Sequence, residues 1–296
     1  MKKIIRAIRN PRPYLLVVVR RLVHVLPQNI YLELLFYLSV GYRLNLKRPR
    51  SFNEKLQWLK LHRHVDRDSL LVDKFEVKSI LGEMIGEEYI VPTYGIYTKF
   101  DEIDFTALPD KFVIKTTHQS GGVVVCTDKA KLDIPLARKT INDKLQKNLY
   151  YWGLEWPYKK VPPRIIVEEY IGNGEDIKDY KLMCFNGRFR CSFVCSERNS
   201  RSGLKVDFYD ETWSLMPFTR HYPNSGVLTP KPVNYERMIA IAEKVSAGIP
   251  FLRVDFFEVE GKLYIGELTF YPGCGFEEFN PREWDYVLGD WIDLNV

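Results

Sequence analysis

Hydrophobic and polar positions alternate in short blocks along most of the chain, but near the N-terminus they fuse into two longer apolar runs. Residues 14–26 form the first, broken by Arg20-Arg21, and residues 30–40 form the second. Neither reaches the roughly 20 residues needed to span a bilayer, so the pattern predicts a pair of helices. Ser51-Phe-Asn-Glu54 is a capping box and predicts a helix through about Leu61. Phe75, Val77, Ile80, Leu81, Met84 and Ile85 make one stripe of a helix from Asp73 to about Ile85, flanked by Lys74 and Lys78. Val91-Pro92 then opens an extended segment.

Strand patterns dominate from there. Residues 111–116 and 123–127 read as strands around the glycine-bearing turn 118–122, and residues 135–148 read as helical. Residues 164–171 are a strong strand that ends at Gly172-Asn-Gly174. Residues 180–185 and 189–194 pair around Asn186-Gly187, a preferred hairpin turn. Residues 196–203 form a polar loop, either an active-site cover or a plain surface loop. An amphipathic helix is predicted over 233–247, and the tail, with Trp284 and Trp291, is expected to pack back on the body.

The hairpin predicted between Arg253 and Gly273, with its turn at Glu260-Gly261, organises the rest. Its apolar strands are interrupted by Arg253, Asp255 and Glu267. Side chains alternate along a strand, so Arg253 shares a face with Asp255, and Glu267 shares one with Thr269. A three-residue connection would set Asp255 opposite Glu267 and Arg253 opposite Thr269, whereas a two-residue connection would separate them. Two carboxylates meeting on an apolar hairpin repel each other unless a cation lies between them. Such oxygen ligands suit Mg²⁺ with nucleotide phosphates. The plainer alternative is a half-exposed hairpin with its charges in water.

Charge adds a second feature. Residues 1–50 carry eleven Lys or Arg against one acid, Glu33, a net +10, which leaves −5 for the remainder of a +5 chain. A basic arm on an acidic body points to an anionic partner surface. Lys2, Lys3, Arg6, Arg9, Arg12, Arg20 and Arg21 facing anionic lipid is one reading; two core helices with a solvated basic edge is the other. The 296 residues include 18 Tyr, 17 Phe and 6 Trp, enough to build a substantial core and to exclude disorder. The five cysteines lack paired zinc spacing and read as reduced thiols of a cytosolic protein. No nucleic-acid-binding motif accompanies the basic arm, so a nucleic-acid role is not expected.

Lys115, on a strand that runs into Ser120-Gly121-Gly122, has the placing to hold a phosphate chain with help from backbone N–H groups. It is not a Walker loop, because the lysine precedes the glycines. His118 reads as structural. The aromatic segment 150–158 reads as a packed linker, with a sugar platform as the alternative.

In order along the chain, six pieces resemble an ATP-grasp ligase of the TupA-like branch, named for teichuronopeptide biosynthesis. They are Asp73-Lys74; Ile114-Lys115 with Gly121-Gly122; Ile166-Val-Glu-Glu-Tyr-Ile171; Asp179-Tyr-Lys181; Arg253-Val-Asp255; and Glu267-Leu-Thr269 with Pro272-Gly273. The resemblance runs from about Ser51 to Gly275. It implies an α+β fold in which two subdomains grip ATP between antiparallel sheets. It divides the chain into a basic helical region, 1–72, and an ATP-grasp domain, 73–296, with a lid subdomain over about 111–168. By the same resemblance, Lys74 and Lys115 contact ATP phosphates, with Lys181 as a further contact. Ser120, Gly121 and Gly122 form the lid loop. Glu168 accepts from the adenine amino group, Glu169, Tyr170 and Ile171 form the hinge, and Glu175 binds the ribose. Asp255 and Glu267 hold Mg²⁺, with Thr269 in the third ligand position where many relatives have Asn. Arg253 stabilises the acyl phosphate and the tetrahedral intermediate. Gln119 departs from the family pattern, which often has Gly after the lid histidine.

The activity implied is ATP-dependent joining of a carboxylate to an amine, with ADP and phosphate as products. The substrates implied are an amino acid and a uronic acid of a capsular or other cell-surface glycan, lipid-linked at the inner membrane face. A glycosyltransferase of the same pathway is a rival, though no Asp-x-Asp metal motif stands out. So is a non-catalytic glycan- or membrane-binding scaffold, against which the retained Lys74, Lys115, Asp255 and Glu267 argue.

Overall fold

Two antiparallel sheets follow from the two blocks of strand pattern, and the computed structural model describes them within residues 11–172, 177–197 and 203–295. The smaller sheet holds β1 (Thr93–Tyr97), β2 (Phe112–Thr116), β3 (Val123–Cys126) and β4 (Ile165–Glu169) in the order β1-β4-β2-β3. The larger holds β5 (Asp179–Phe185), β6 (Arg188–Ser196), β7 (Lys205–Tyr209), β9 (Phe251–Val259) and β10 (Lys262–Thr269) in the order β10-β9-β5-β6-β7. Two-residue strands β8 (Thr219–Arg220) and β11 (Phe279–Asn280) pair separately. The class is α+β, as expected.

Each sheet buries one face under a helix. The helix Ile134–Leu145 sets Ala137 and Ile141, four positions apart, against Phe112, Ile114, Ile165 and Val167. The helix Tyr235–Ser246 buries Tyr235, Met238, Ile241, Ala242 and Val245 on the larger sheet. The capping box forms as read: Ser51 Oγ accepts from Glu54 N at 3.2 Å, and Glu54 Oε2 accepts from Ser51 N at 3.1 Å. That cap starts the helix Phe52–His62 and seats Phe52 edge-on to Phe251 at 4.9 Å. Helices Arg12–Arg21 and Gln28–Val40 precede it, and Tyr31, Leu35 and Phe36 share its core. Among the described residues no helix is long and apolar enough to cross a membrane. The C-terminal helix Glu283–Asp290 packs back, with Trp284 stacked on Phe218 and Trp291 edge-on to Phe185.

The β9–β10 hairpin corrects the expected link between turn length and register. The turn is the two-residue Glu260-Gly261, with both φ positive (51° and 76°), and it pairs Val259 with Lys262. That register holds to Ile265 opposite Phe256. Then β10 takes one extra residue at Gly266, and the ladder resumes with Glu267 opposite Asp255 and Thr269 opposite Arg253. The bulge, not the turn, brings the carboxylates face to face. A side chain at position 266 would meet the Phe257 ring at 2.7 Å, so glycine is what lets the bulge lie against that ring.

Candidate active site

The hairpin bulge builds the first half of the site. Arg253 forks onto Asp255, with Nε to Oδ1 at 2.6 Å and Nη2 to Oδ2 at 2.7 Å, and Nη2 also reaches Glu267 Oε1 at 3.1 Å. Lys181 stands opposite Asp255 on the neighbouring β5, pairs with it, and reaches Asp179 at 2.7 Å. Lys74, just before the helix Glu76–Ile85, lies 3.7 Å from Glu267 and donates to the Gln119 carbonyl at 2.9 Å. Burial works to raise the Glu267 carboxyl, but Lys74, Arg253, Lys181 and Lys115 outweigh it and hold the group at about 2. Asp255 is shifted the other way: burial, with Asp179 and Glu267 nearby, prevails over Arg253 and Lys181 and raises it. Two facing carboxylates whose environments push them apart make a candidate functional site.

The smaller sheet supplies the second half. Glu168 on β4 is buried and takes Lys115 of β2 at 2.6 Å and Lys78 at 2.5 Å. Burial would raise its carboxyl, yet the two lysines hold it below the usual range. Lys78 also donates to the Val91 carbonyl at 2.5 Å. The sequence placed Lys78 only at the flank of a helical stripe; its spacing of four from Lys74 was the available signal. Lys74, Lys78, Lys115, Glu168 and Glu267 line one crevice with Val77, Ile90 and Ile265. The two sheets thus present opposed charged faces across it.

The remaining expected residues are placed as follows. Ser120 and Gly121 are exposed in the loop between β2 and β3, and Gly121 and Gly122 have φ of 78° and 66°. A Cβ at Gly122 would lie 2.9 Å from the Lys144 side chain, which crowds this loop from the helix end. Gln119 donates to the Lys144 carbonyl, and His118 Nε2 lies 3.0 Å from the Lys147 carbonyl. Burial lowers the His118 pKa, as suits a neutral ring anchored on backbone. These contacts account for the departure at Gln119: its amide ties the loop to the end of the helix Ile134–Leu145. Glu169 ends β4 and donates its N–H to the Pro92 carbonyl at 2.9 Å, and Tyr170 and Ile171 follow, partly buried. Thr269 lies across from Arg253, one alternation beyond Glu267. Glu175, the basic residues Lys2, Lys3, Arg6 and Arg9, and residues 198–202 of the polar loop lie outside the described residues.

The sequence pattern of the TupA-like ATP-grasp family matches residues 54–293, most of the chain. The chain belongs to the TupA-like ATP-grasp family. Among solved structures it is similar to D-alanine–D-alanine ligase from Bacillus anthracis complexed with ATP, at 15% identity and a TM-score of 0.43. That match covers 75% of this chain and 63% of the ligase. D-alanine–D-alanine ligase from Helicobacter pylori gives 14% identity, a TM-score of 0.43 and the same two coverages. The ADP complex of the N5-carboxyaminoimidazole ribonucleotide synthetase PurK gives 18% identity and a TM-score of 0.42 over 83% of this chain and 58% of that one. The TupA-like chain therefore spans less than two thirds of each of these proteins. No curated protein matches it. The matched span begins inside the capping box and leaves helices Arg12–Arg21 and Gln28–Val40 outside it.

In this ATP-grasp chain the donor chemistry fits Mg²⁺. Among the described residues no cluster of three or more His, Cys, Asp or Glu is gathered for a metal. The facing pair Asp255 and Glu267 is what the protein offers, which matches the way Mg²⁺ takes one or two carboxylates and completes its shell with phosphate oxygens and water.

Proposed function

We propose that the protein is an ATP-dependent carboxylate–amine ligase that works through an acyl phosphate. The observation that carries the reading is the Asp255–Glu267 pair beside Arg253, with Lys74 and Lys181 around it and Lys115 reaching the same crevice from the other sheet. Its substrates in this reading are an amino acid and a uronic acid of a capsular or other cell-surface polysaccharide, with the support of the family assignment.

A carboxylate is a poor electrophile at neutral pH. In the first step a substrate carboxylate oxygen attacks the γ-phosphorus of ATP, the bond from that phosphorus to the bridging oxygen breaks, and ADP leaves. Lys74, Lys115 and Lys181 offset the charge spread over the phosphate oxygens. Asp255 and Glu267 would hold Mg²⁺, which supplies Lewis-acid polarisation of those oxygens. In the second step an amine nitrogen attacks the acyl carbon. The carbon–oxygen bond to phosphate breaks, and phosphate and a proton are released. Arg253, which forks onto Asp255 and bonds Glu267, would stabilise the oxyanion. The Ser120-Gly121-Gly122 loop, closed over the phosphates, would keep water from the acyl phosphate.

The test is incubation of the protein with ATP, Mg²⁺, amino acids and a hexuronate-containing acceptor. ADP release that requires both co-substrates supports the reading. AMP and pyrophosphate as products would overturn the acyl-phosphate route.

A further inference from the structure

The helix Gln28–Val40 is apolar on two opposite sides. Tyr31, Leu32, Leu35 and Phe36 are buried in the core. Ile30, Leu34 and Tyr37, spaced i, i+4, i+7 on the other side, are exposed, Tyr37 by 49%. The neighbouring helix Arg12–Arg21 repeats the pattern. Val19 is buried, while Leu15 and Val18, three positions apart, are exposed, Val18 by 55%. The aromatic segment adjoins this hairpin: the Arg20 guanidinium lies 4.4 Å over the Trp152 ring, and His24 lies 4.6 Å from Tyr151. Tyr151 and Trp152 are themselves substantially exposed.

We propose that this helical hairpin, with Tyr151 and Trp152, docks on the surface of an anionic phospholipid bilayer. Three observations select that partner. An apolar helix face left in water is a contact surface without its contact, and neither helix is long enough to cross a membrane, so the hairpin lies on the bilayer rather than through it. A Trp ring under a guanidinium and a Tyr ring beside an imidazole suit the headgroup layer, where one end of each side chain is apolar and the other wet. Charge does the rest. Residues 1–50 carry a net +10 on a chain whose remainder is −5, so an anionic surface attracts this end and turns the acidic body outward. A second copy would bring one segment of net +10 against another. The proposal stands independently of the ligase reading, since neither needs the other.

Co-sedimentation with vesicles of phosphatidylcholine alone, and of phosphatidylcholine mixed with phosphatidylglycerol, tests it without nucleotide present. The full chain is expected to bind the mixed vesicles at low salt and to leave the neutral ones largely free. Val18→Glu combined with Leu34→Glu is expected to lower partitioning at least about tenfold. The far-UV circular dichroism and thermal midpoint should stay unchanged, because both side chains face solvent. Lipids brominated in the acyl chain should quench tryptophan fluorescence less in Trp152→Phe than in the parent. Failure to bind mixed vesicles, or equal binding by the double variant, would overturn the proposal. So would a dimer that Leu34→Glu dissociates while no vesicle binding occurs.

Discussion

Asp255 faces Glu267 across the β9–β10 ladder, although the two-residue turn that joins these strands would by itself place Gly266 there. The extra residue shifts every later side chain of β10 by one step. It turns Glu267 and Thr269 to the face that carries Asp255 and Arg253. The carboxylate pair, and any metal chemistry built on it, depends on one bulge.

Gly266 is therefore the residue to perturb first. In Gly266→Ala the new methyl meets Phe257 at 2.7 Å, so the ring must move or the bulge must shift. A loss of about 1–3 kcal/mol is expected in urea denaturation. Phe257→Leu frees the space, so the double variant should recover much of the loss. Full additivity of the two changes would show that the ring contact does not set the bulge.

Asp255 is buried between the cations Arg253 and Lys181. Asp255→Asn keeps the shape and removes the charge, leaving both cations short of a counter-ion. Breaking a buried pair from one side costs roughly 3–5 kcal/mol. The variant should therefore lose stability in urea and, on the proposed ligase reading, Mg²⁺-dependent ADP formation. A variant of unchanged stability would mean that Glu267 and Asp179 suffice to balance those cations.

Much of this frame is local and was legible. The Ser51 capping box, the Asn186-Gly187 hairpin, the helical stripe at Phe75–Ile85 positions and the alternating strands all follow from residues close in sequence. The face shared by Arg253 and Asp255 follows from strand periodicity alone. What was not legible depends on distance or on packing. The bulge reflects how Gly266 meets Phe257 across a strand pair. The pairing of Lys78 with Glu168 joins residues 90 positions apart through the sheet fold, and no spacing rule reaches that far. Gln119 looked like a departure from a glycine pattern until the helix end at Lys144 was beside it.

Lys78 gives the next test. It and Lys115 share the two oxygens of Glu168. Lys78→Met leaves Glu168 with one cation, and a charged hydrogen bond of this kind contributes about 1.5–3 kcal/mol. A loss in that range is expected, together with weaker ATP binding, because Lys115 is then held more tightly by Glu168 and is less free for phosphate. Calorimetric titration with an ATP analogue checks the second effect, and tighter binding by Lys78→Met would refute it.

Acid titration separates the two facing carboxylates. Glu267 is depressed from an ordinary 4.5 to about 2. A depressed carboxyl contributes stability that is fully present above the unfolded value and lost as pH falls toward the folded one. Glu267→Gln lacks this contribution at every pH. Because Glu267 is partly open to solvent, its share is discounted to on the order of 1–2 kcal/mol at neutral pH. The stability difference between the parent and Glu267→Gln, from urea curves at successive pH values, should hold steady down to about pH 5 and then shrink by about half or more as pH approaches 3. Asp255, raised by burial and in lesser part by Glu267, works with the opposite sign; Glu267→Gln relieves that lesser part, which opposes the shrinkage in part. A difference that stayed constant through pH 3 would show that Glu267 owes its place to shape rather than to the cations around it.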